Sequence, residues 1–214
     1  MSEQAKPTAR QSADATRRNE DSRRAILRGA FELAGETGYA KLTIEAIAAR
    51  AGVGKQTIYR WWPSKGAVLL DAFLMLSEAD DEEAALPDTG DLEADLKLVL
   101  RATVAELADP RFDLPLRGLT SAIMHDQVLA EAYVQRLQGP VDDLKRRRLA
   151  AAQAAGELAE DLDLDVAIAM IWGPLVDRWL LRTGPLTAEF ADHVVEYALR
   201  GLRANRPGSA APRK

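Results

Sequence analysis

The chain has 214 residues and no cysteine, which excludes disulfides, thiolate catalysis and cysteine-based zinc sites, and two histidines, His125 and His193, offer little for metal ligation or imidazole catalysis. A 47% hydrophobic fraction with only 6% aromatic describes an aliphatic interior, and at this length folding buries roughly 70% of the unfolded surface without covalent staples. The net charge of −5 argues against a polyanionic partner only as an average, because it divides into +5 over residues 1–66 and −10 over residues 67–214.

Residues 1–20 are polar and read as a disordered tail, neither signal peptide nor membrane anchor. Ile26, Leu27, Ala30, Phe31 and Ala34 then recur at helical spacing until Gly38. Thr43 is a good N-cap for a second helix through Ile44, Ile47 and Ala48, ending at Gly52. A short third helix runs from Lys55 to about Trp62, since the residue before Pro63 is pushed out of helical geometry. Ser64 caps a fourth through Leu69, Leu70 and Phe73. The acidic stretch from Asp80 to Gly90 reads as a link. Further helices are expected from Asp91 to about Ala108, from Leu116 to Asp126, and from Gln127 to Ala155 with a kink at Gly139-Pro140. Val166–Leu181 and Thr187 to about Leu202 follow, separated by a Gly184-Pro185 turn, before a Pro/Gly-rich tail over 204–214. No run approaches the roughly 18 apolar residues of a membrane span, and no strand-period segment is present. The fold class is all-α.

Residues 43–62 have the spacing of a helix-turn-helix. Its second helix, Lys55-Gln56-Thr57-Ile58-Tyr59-Arg60-Trp61-Trp62, combines cations, an amide and a hydroxyl with three aromatics. Ile58 and Trp62, four apart, can face the core, which turns Lys55, Gln56, Tyr59 and Arg60 outward. Such a row suits the major groove, where Arg or Lys reads guanine and Gln reads adenine. Thr43 and Lys65 flank it at helix N-termini, where backbone N–H groups favour phosphate.

The ordered positions Ala30-Phe31, Gly38-Tyr39, Thr43-Ile44, Ile47-Ala48, Ala51-Gly52-Val53 and Thr57-Ile58-Tyr59-Arg60-Trp61-Trp62-Pro63-Ser64-Lys65 resemble the DNA-binding domain of the TetR family of bacterial transcriptional regulators. The resemblance covers about residues 22–75, and extends weakly into the body through Gly173-Pro174-Leu175 and Gly184-Pro185-Leu186-Thr187. It implies a homodimer with N-terminal domains on DNA and a helical C-terminal domain that dimerises and often holds an inducer. Carried over by position, it implies phosphate contacts from Thr43, Thr57, Tyr59 and Lys65. It implies base contacts from Lys55, Gln56 and Arg60, and an aromatic against the backbone at Trp61. Two positions depart from the pattern: Gly54 stands where a capping Ser is common, and Gly66 where an acid is frequent.

Other motifs carry less. Gly52-Val53-Gly54-Lys55-Gln56-Thr57 is not a phosphate-binding loop, because Ala49 occupies the first glycine position and Gln56 the hydroxyl position. His125 and His193 lack the Glu-x-x-His partners of di-metal bundles, since Ala122 and Phe190 stand three residues earlier. The run Lys145–Arg148 reads as a solvated face rather than a second DNA site. Val166–Leu181 is apolar nearly all round, and must be buried centrally or against a partner. With the resemblance, Trp172, Leu175, Trp179, Phe190, Val194, Val195 and Ala198 are expected in a two-fold interface. Phe112, Met124, His125, Trp172 and Arg178 are candidates for a ligand pocket.

The sequence thus describes a tail over 1–20, a helix-turn-helix domain over 21–66, a helical regulatory and dimerisation domain over 67–203 and a tail over 204–214. The expected function is a cytoplasmic, homodimeric, non-enzymatic regulator without cofactor or metal, binding a pseudo-palindromic operator in double-stranded DNA and released from it by a small-molecule effector, most simply a repressor. The alternatives are a helical ligand-binding or enzymatic protein with an association module, and a DNA-binding activator without inducer.

Overall fold

The computed structural model describes residues 9–78 and 85–203, with side chains over 17–76 and 85–203, and among them it contains helices but no strand. In chain order these are α1 (Ala9–Thr37), α2 (Ile44–Ala51), α3 (Lys55–Tyr59), α4 (Lys65–Glu78), α5 (Leu92–Ala108), α6 (Pro110–Ile123) and α7 (Gln127–Tyr133). A single π-helical turn, Val134–Gln138, leads into α8 (Gly139–Ala154), followed by α9 (Leu164–Leu181) and α10 (Ala188–Leu202).

Four elements differ from the sequence expectation, the simplest being α3, which ends at Tyr59 rather than near Trp62. Residues 9–20, expected in the tail, are the first turns of α1. No Gly or Pro interrupts the chain from residue 10 to 28, and Glu20 pairs with Arg24 at 3.4 Å one turn on. Residues 1–8 and 204–214, the remainder of the two expected tails, lie outside the described residues. Helix α6 begins at Pro110 rather than near Leu116. Proline loses nothing at a first helical position, where its absent N–H has no partner anyway, and the Asp109 carboxylate accepts the Arg111 N–H at 2.9 Å. The expected kink at Gly139-Pro140 is met by the π turn just before it, which leaves Pro140 in the first turn of α8.

The chain divides into two compact units, one of Met1–Asp80 with Leu114–Glu131, the other of Asp81–Asp113 with Ala132–Lys214. A cut after residue 66 separates α4 from the helices it packs on. The first unit keeps it because Val68, Leu69, Ala72 and Phe73 are buried, α1 packs on α4 and α2, and Phe31 meets Phe73 edge-on at 5.3 Å. Residues 114–131 join this unit by close approach. A Cβ on Gly118 would lie 2.5 Å from the Tyr39 Cβ, and one on Gly66 would lie 2.7 Å from Leu129 Cδ2.

The second unit packs α5, α8, α9 and α10 around Leu96, Leu100, Leu149, Ile171, Leu175, Val195 and Leu199. Along the rim, α5 is clamped to α10 by Lys97 to Glu196 at 2.8 Å and by the paired Arg101–Asp192 bonds at 2.6 and 2.7 Å. Inside it lies an ion pair the sequence reading did not anticipate. Arg148 donates to Asp95 at 2.9 Å with both side chains buried. Every strong group of the pair is satisfied: Arg148 Nε donates to the Pro87 carbonyl at 2.8 Å, and Thr89 donates its N–H and hydroxyl to Asp95 at 3.0 and 2.8 Å. The end of the acidic linker is thereby fastened to α5 and α8.

Candidate nucleic-acid interface

The helix-turn-helix follows from three local features. Thr43, in extended backbone, accepts the Ala46 N–H on its side-chain oxygen at 3.1 Å, which starts α2. Gly52 ends it with φ +66°, the left-handed region where a Cβ is costly, while the Val53 N–H closes on the Ala48 carbonyl at 3.0 Å. Gly54 then precedes α3 and offers no side-chain cap. Only the backbone carbonyl of Gly54 starts the helix, accepting from the Thr57 N–H at 2.9 Å.

Helix α3 and the turn that follows it, residues 55–62, have two chemically distinct sides. Ile58 and Trp62 are buried, as the four-residue spacing predicts, and the Trp62 indole N–H donates to Asp71 at 2.9 Å. Asp71 also receives Arg23 from α1 at 3.3 Å. Lys55, Gln56 and Arg60 are exposed on the other side, with Tyr59 at 50% and Thr57 partly covered. The Arg60 guanidinium lies 5.2 Å from the centre of the Trp61 ring, which itself stands edge-on to Trp62 at 5.4 Å. Lys55 has one loose partner, Glu45 at 3.8 Å, and an exposed pair of this kind holds its lysine by about 0–1 kcal/mol, so it yields to a stronger anion.

Lys65 is placed differently. Its ammonium donates to the carbonyls of Tyr39 and Leu42, each at 2.8 Å, and lies 4.2 Å from the centre of the Tyr39 ring. Burial pushes its pKa below the ordinary lysine value. Two of its three N–H donors thus fix the loop that delivers Thr43, leaving one for an outside anion. Nothing in the one-dimensional pattern signals this, because the carbonyls come from residues more than twenty positions earlier. On the exposed side of α2, Arg50 is held by Glu36 at 2.7 Å and Glu32 at 3.3 Å, which raises the Arg50 pKa and lowers that of Glu36.

Against known proteins, residues 26–72 match the family described as bacterial regulatory proteins, tetR family, and residues 86–198, more than half of the chain, match the tetracyclin repressor-like C-terminal domain. The chain belongs to the TetR family. TetR-family proteins are DNA-binding transcriptional regulators, repressors among them, and not a family of enzymes. The HTH-type transcriptional regulator YdeS of Bacillus subtilis is 36% identical over 188 residues, spanning 87% of this chain and 92% of YdeS. The DNA-binding transcriptional repressor TetR of Mycobacteroides abscessus is 32% identical over 199 residues, 90% of this chain and 98% of that protein. Among solved structures, the TetR-family transcription regulator SCO0332 superposes with a TM-score of 0.68 at 34% identity, covering 86% of this chain and all of that one.

The TetR-type body places the remaining candidates as follows. Met124 and His125 are exposed and belong to the first unit, whereas Phe112, Trp172 and Arg178 belong to the second. Arg178 stacks on Phe190 at 3.6 Å within the last hairpin, and Trp172 borders an open groove of about 440 Å³. Of the residues expected at an interface, Leu175 and Val195 are wholly buried within this chain, with Trp172, Val194 and Ala198 nearly so, and Phe190 is packed against the same core. Trp179 is spent internally as well, its indole donating to Asp113 at 2.6 Å. Helix α9 is apolar both on this inward side and on the side facing away from the core. The apolar side chains it leaves exposed are Val166, Met170, Val176, Leu180 and Leu181, with Tyr197 on α10. The run 145–148 also differs from a solvated face. Arg148 is buried, Arg146 pairs with Asp143 and Asp165, and Lys145 with Asp142.

Among the described residues, no helix is long and apolar enough to cross a membrane.

Proposed function

We propose that this protein is a homodimeric repressor whose two α3 helices enter successive major grooves of a pseudo-palindromic operator, roughly 34–36 Å apart. The observation that carries the reading is the split of residues 55–62, α3 and its following turn: an anchored side of Ile58 and Trp62, and an open side of Lys55, Gln56, Tyr59 and Arg60, with no acidic residue in the segment. Lys55, Gln56 and Arg60 contact base edges. Thr43, Thr57, Tyr59 and Trp61 contact the phosphate backbone, and Lys65 serves chiefly by holding the Thr43 loop, with one N–H left for phosphate. The DNA-binding module is built on residues 21–66 and braced by α4 and residues 114–131; the body up to residue 203 dimerises and senses a small molecule.

The dimer uses the outward side of α9, Val166, Met170 and Leu180, with Tyr197 of α10, since large apolar side chains left exposed together on one helix face mark an interaction site. The repressor assignment is supported by the relative from Mycobacteroides abscessus that bears that name. The protein acts in the cytoplasm, where its DNA is. An effector releases the operator by binding the DNA-incompetent dimer more tightly than the competent one. Footprinting on the intergenic DNA beside its own gene tests the reading: two protected half-sites one helical turn apart are expected, and uniform or absent protection contradicts it.

A further inference from the structure

The groove between α8 and α9 holds an ammonium of the protein's own where a ligand's charge would sit. Lys145 Nζ lies 5.0 Å from the centre of the Trp172 ring and donates to Asp142 at 2.9 Å. Gln138, the last residue of the π turn, donates its amide to both Asp142 oxygens at 2.9 Å and accepts from the Tyr133 hydroxyl at 2.8 Å. Burial alone would raise the Asp142 pKa, but these two donors outweigh it and the carboxyl stays below its ordinary value. The groove floor is apolar, formed by Ile168, Ala169, Trp172 and Val176, and at its edge Asp165 is paired with Arg146 at 2.6 and 3.1 Å. Val166, Met170 and Leu180, the stripe assigned above to the dimer, do not line it.

We infer that this groove is an effector site for lipophilic monocations, in which the ligand's positive head displaces Lys145 from Trp172 and Asp142. The aromatic face attracts a cation through its quadrupole, most of all a weakly hydrated one. Once Lys145 swings out, the Asp142 carboxylate loses the cation it faces and a ligand's positive head takes that place, while an anion there would meet the carboxylate with no lysine between them. The apolar floor supplies the burial that a fully hydrated cation could not use. The site also has a mechanical outlet. Its polar end is the π turn, a helical irregularity often found at functional positions, and the chain leading into that turn is α7. A changed bond to Gln138 therefore acts on the helix that begins in the DNA-binding unit.

The inference rests on the reading of this chain as an effector-responsive regulator, and the test separates the two. Tetraphenylphosphonium and tetraphenylborate share a shape and differ in charge, so calorimetric titration of the full-length protein with each isolates the sign of the site. Saturable binding of the phosphonium is expected, at least tenfold tighter than the borate. Asp142→Asn should weaken it at least tenfold, and Lys145→Met, which removes the resident competitor, should tighten it at least fivefold. The bound phosphonium should also lower operator affinity several-fold in the wild type and not in Asp142→Asn, with melting curves checking that both variants fold. Equal or tighter borate binding, a Lys145→Met variant that binds no more tightly, or phosphonium binding that leaves operator affinity unchanged overturns the inference. Failure of the unliganded protein to bind its operator would instead overturn the regulator reading alone.

Discussion

Lys65 and Tyr39 hold each other twice: the ammonium donates to the Tyr39 carbonyl at 2.8 Å and lies over the Tyr39 ring at 4.2 Å. A lysine that the sequence places at a phosphate-facing helix N-terminus is therefore also the fastener of the loop before Thr43. Lys65→Met should leave the carbonyls of Tyr39 and Leu42 without their donor and destabilise the protein by about 1–3 kcal/mol, read from urea unfolding. A loss of operator affinity with no loss of stability would show that the ammonium is spent on phosphate instead.

Removing one member of the Asp95–Arg148 pair strands a buried charge, so Asp95→Ala should cost about 3–5 kcal/mol. Replacing both, as Asp95→Leu with Arg148→Met, should recover most of that loss, because a packed apolar pair needs no desolvation. The pair also sets an acid limit. Burial alone would raise the Asp95 pKa, but bonds from Arg148 and Thr89 hold it below the ordinary aspartate value. A depressed carboxyl contributes stability that is complete above its unfolded pKa, about 3.9, and is lost as pH falls through the folded value. Wild-type stability should therefore fall below about pH 4 more steeply than that of the double variant, measured by denaturant unfolding across that range.

The two glycine positions near the interface should respond oppositely. Gly118→Ala drives a methyl to 2.5 Å from the Tyr39 Cβ, forcing the helix or the loop to move. A destabilisation of about 1–3 kcal/mol is expected, with weaker operator binding because the Thr43 loop shifts. At Gly54 a Cβ meets nothing within 4 Å, and serine there supplies the missing cap of α3. Gly54→Ser should gain a few tenths of a kcal/mol in thermal unfolding and leave binding intact or tighter.

The helix-turn-helix was readable because its signals are local: Thr43, Gly52 and the Ile58/Trp62 spacing each act within one turn of themselves. What escaped depends on distant pairings. Asp95 falls within the buried stripe of Leu92, Leu96 and Leu100, and Arg148 stands beside Leu149 and Ala152, so two charges on two apolar stripes were the available sign of a buried pair. Burial direction on α9 could not be read at all, since a helix apolar all round has no periodicity to point with.

That ambiguity yields a prediction about assembly. Met170→Glu, on the outward stripe, should convert the proposed dimer to monomer in sedimentation velocity at micromolar concentration while leaving the melting of the monomer fold largely unchanged. Leu175→Ala, inside the core, should instead cost about 2–5 kcal/mol in stability and leave any protein still folded dimeric. The reverse pattern would return the interface to the inward stripe.

The central claim is that the open side of α3 reads DNA, and salt-dependent binding of the triple variant Lys55→Ala/Gln56→Ala/Arg60→Ala to the footprinted operator tests it most directly. Each good bidentate base contact contributes ~1–3 kcal/mol of discrimination. The variant should therefore lose its preference for the operator over unrelated DNA, with a shallower salt dependence from the missing cations. Operator-selective binding that survives all three substitutions would contradict the account.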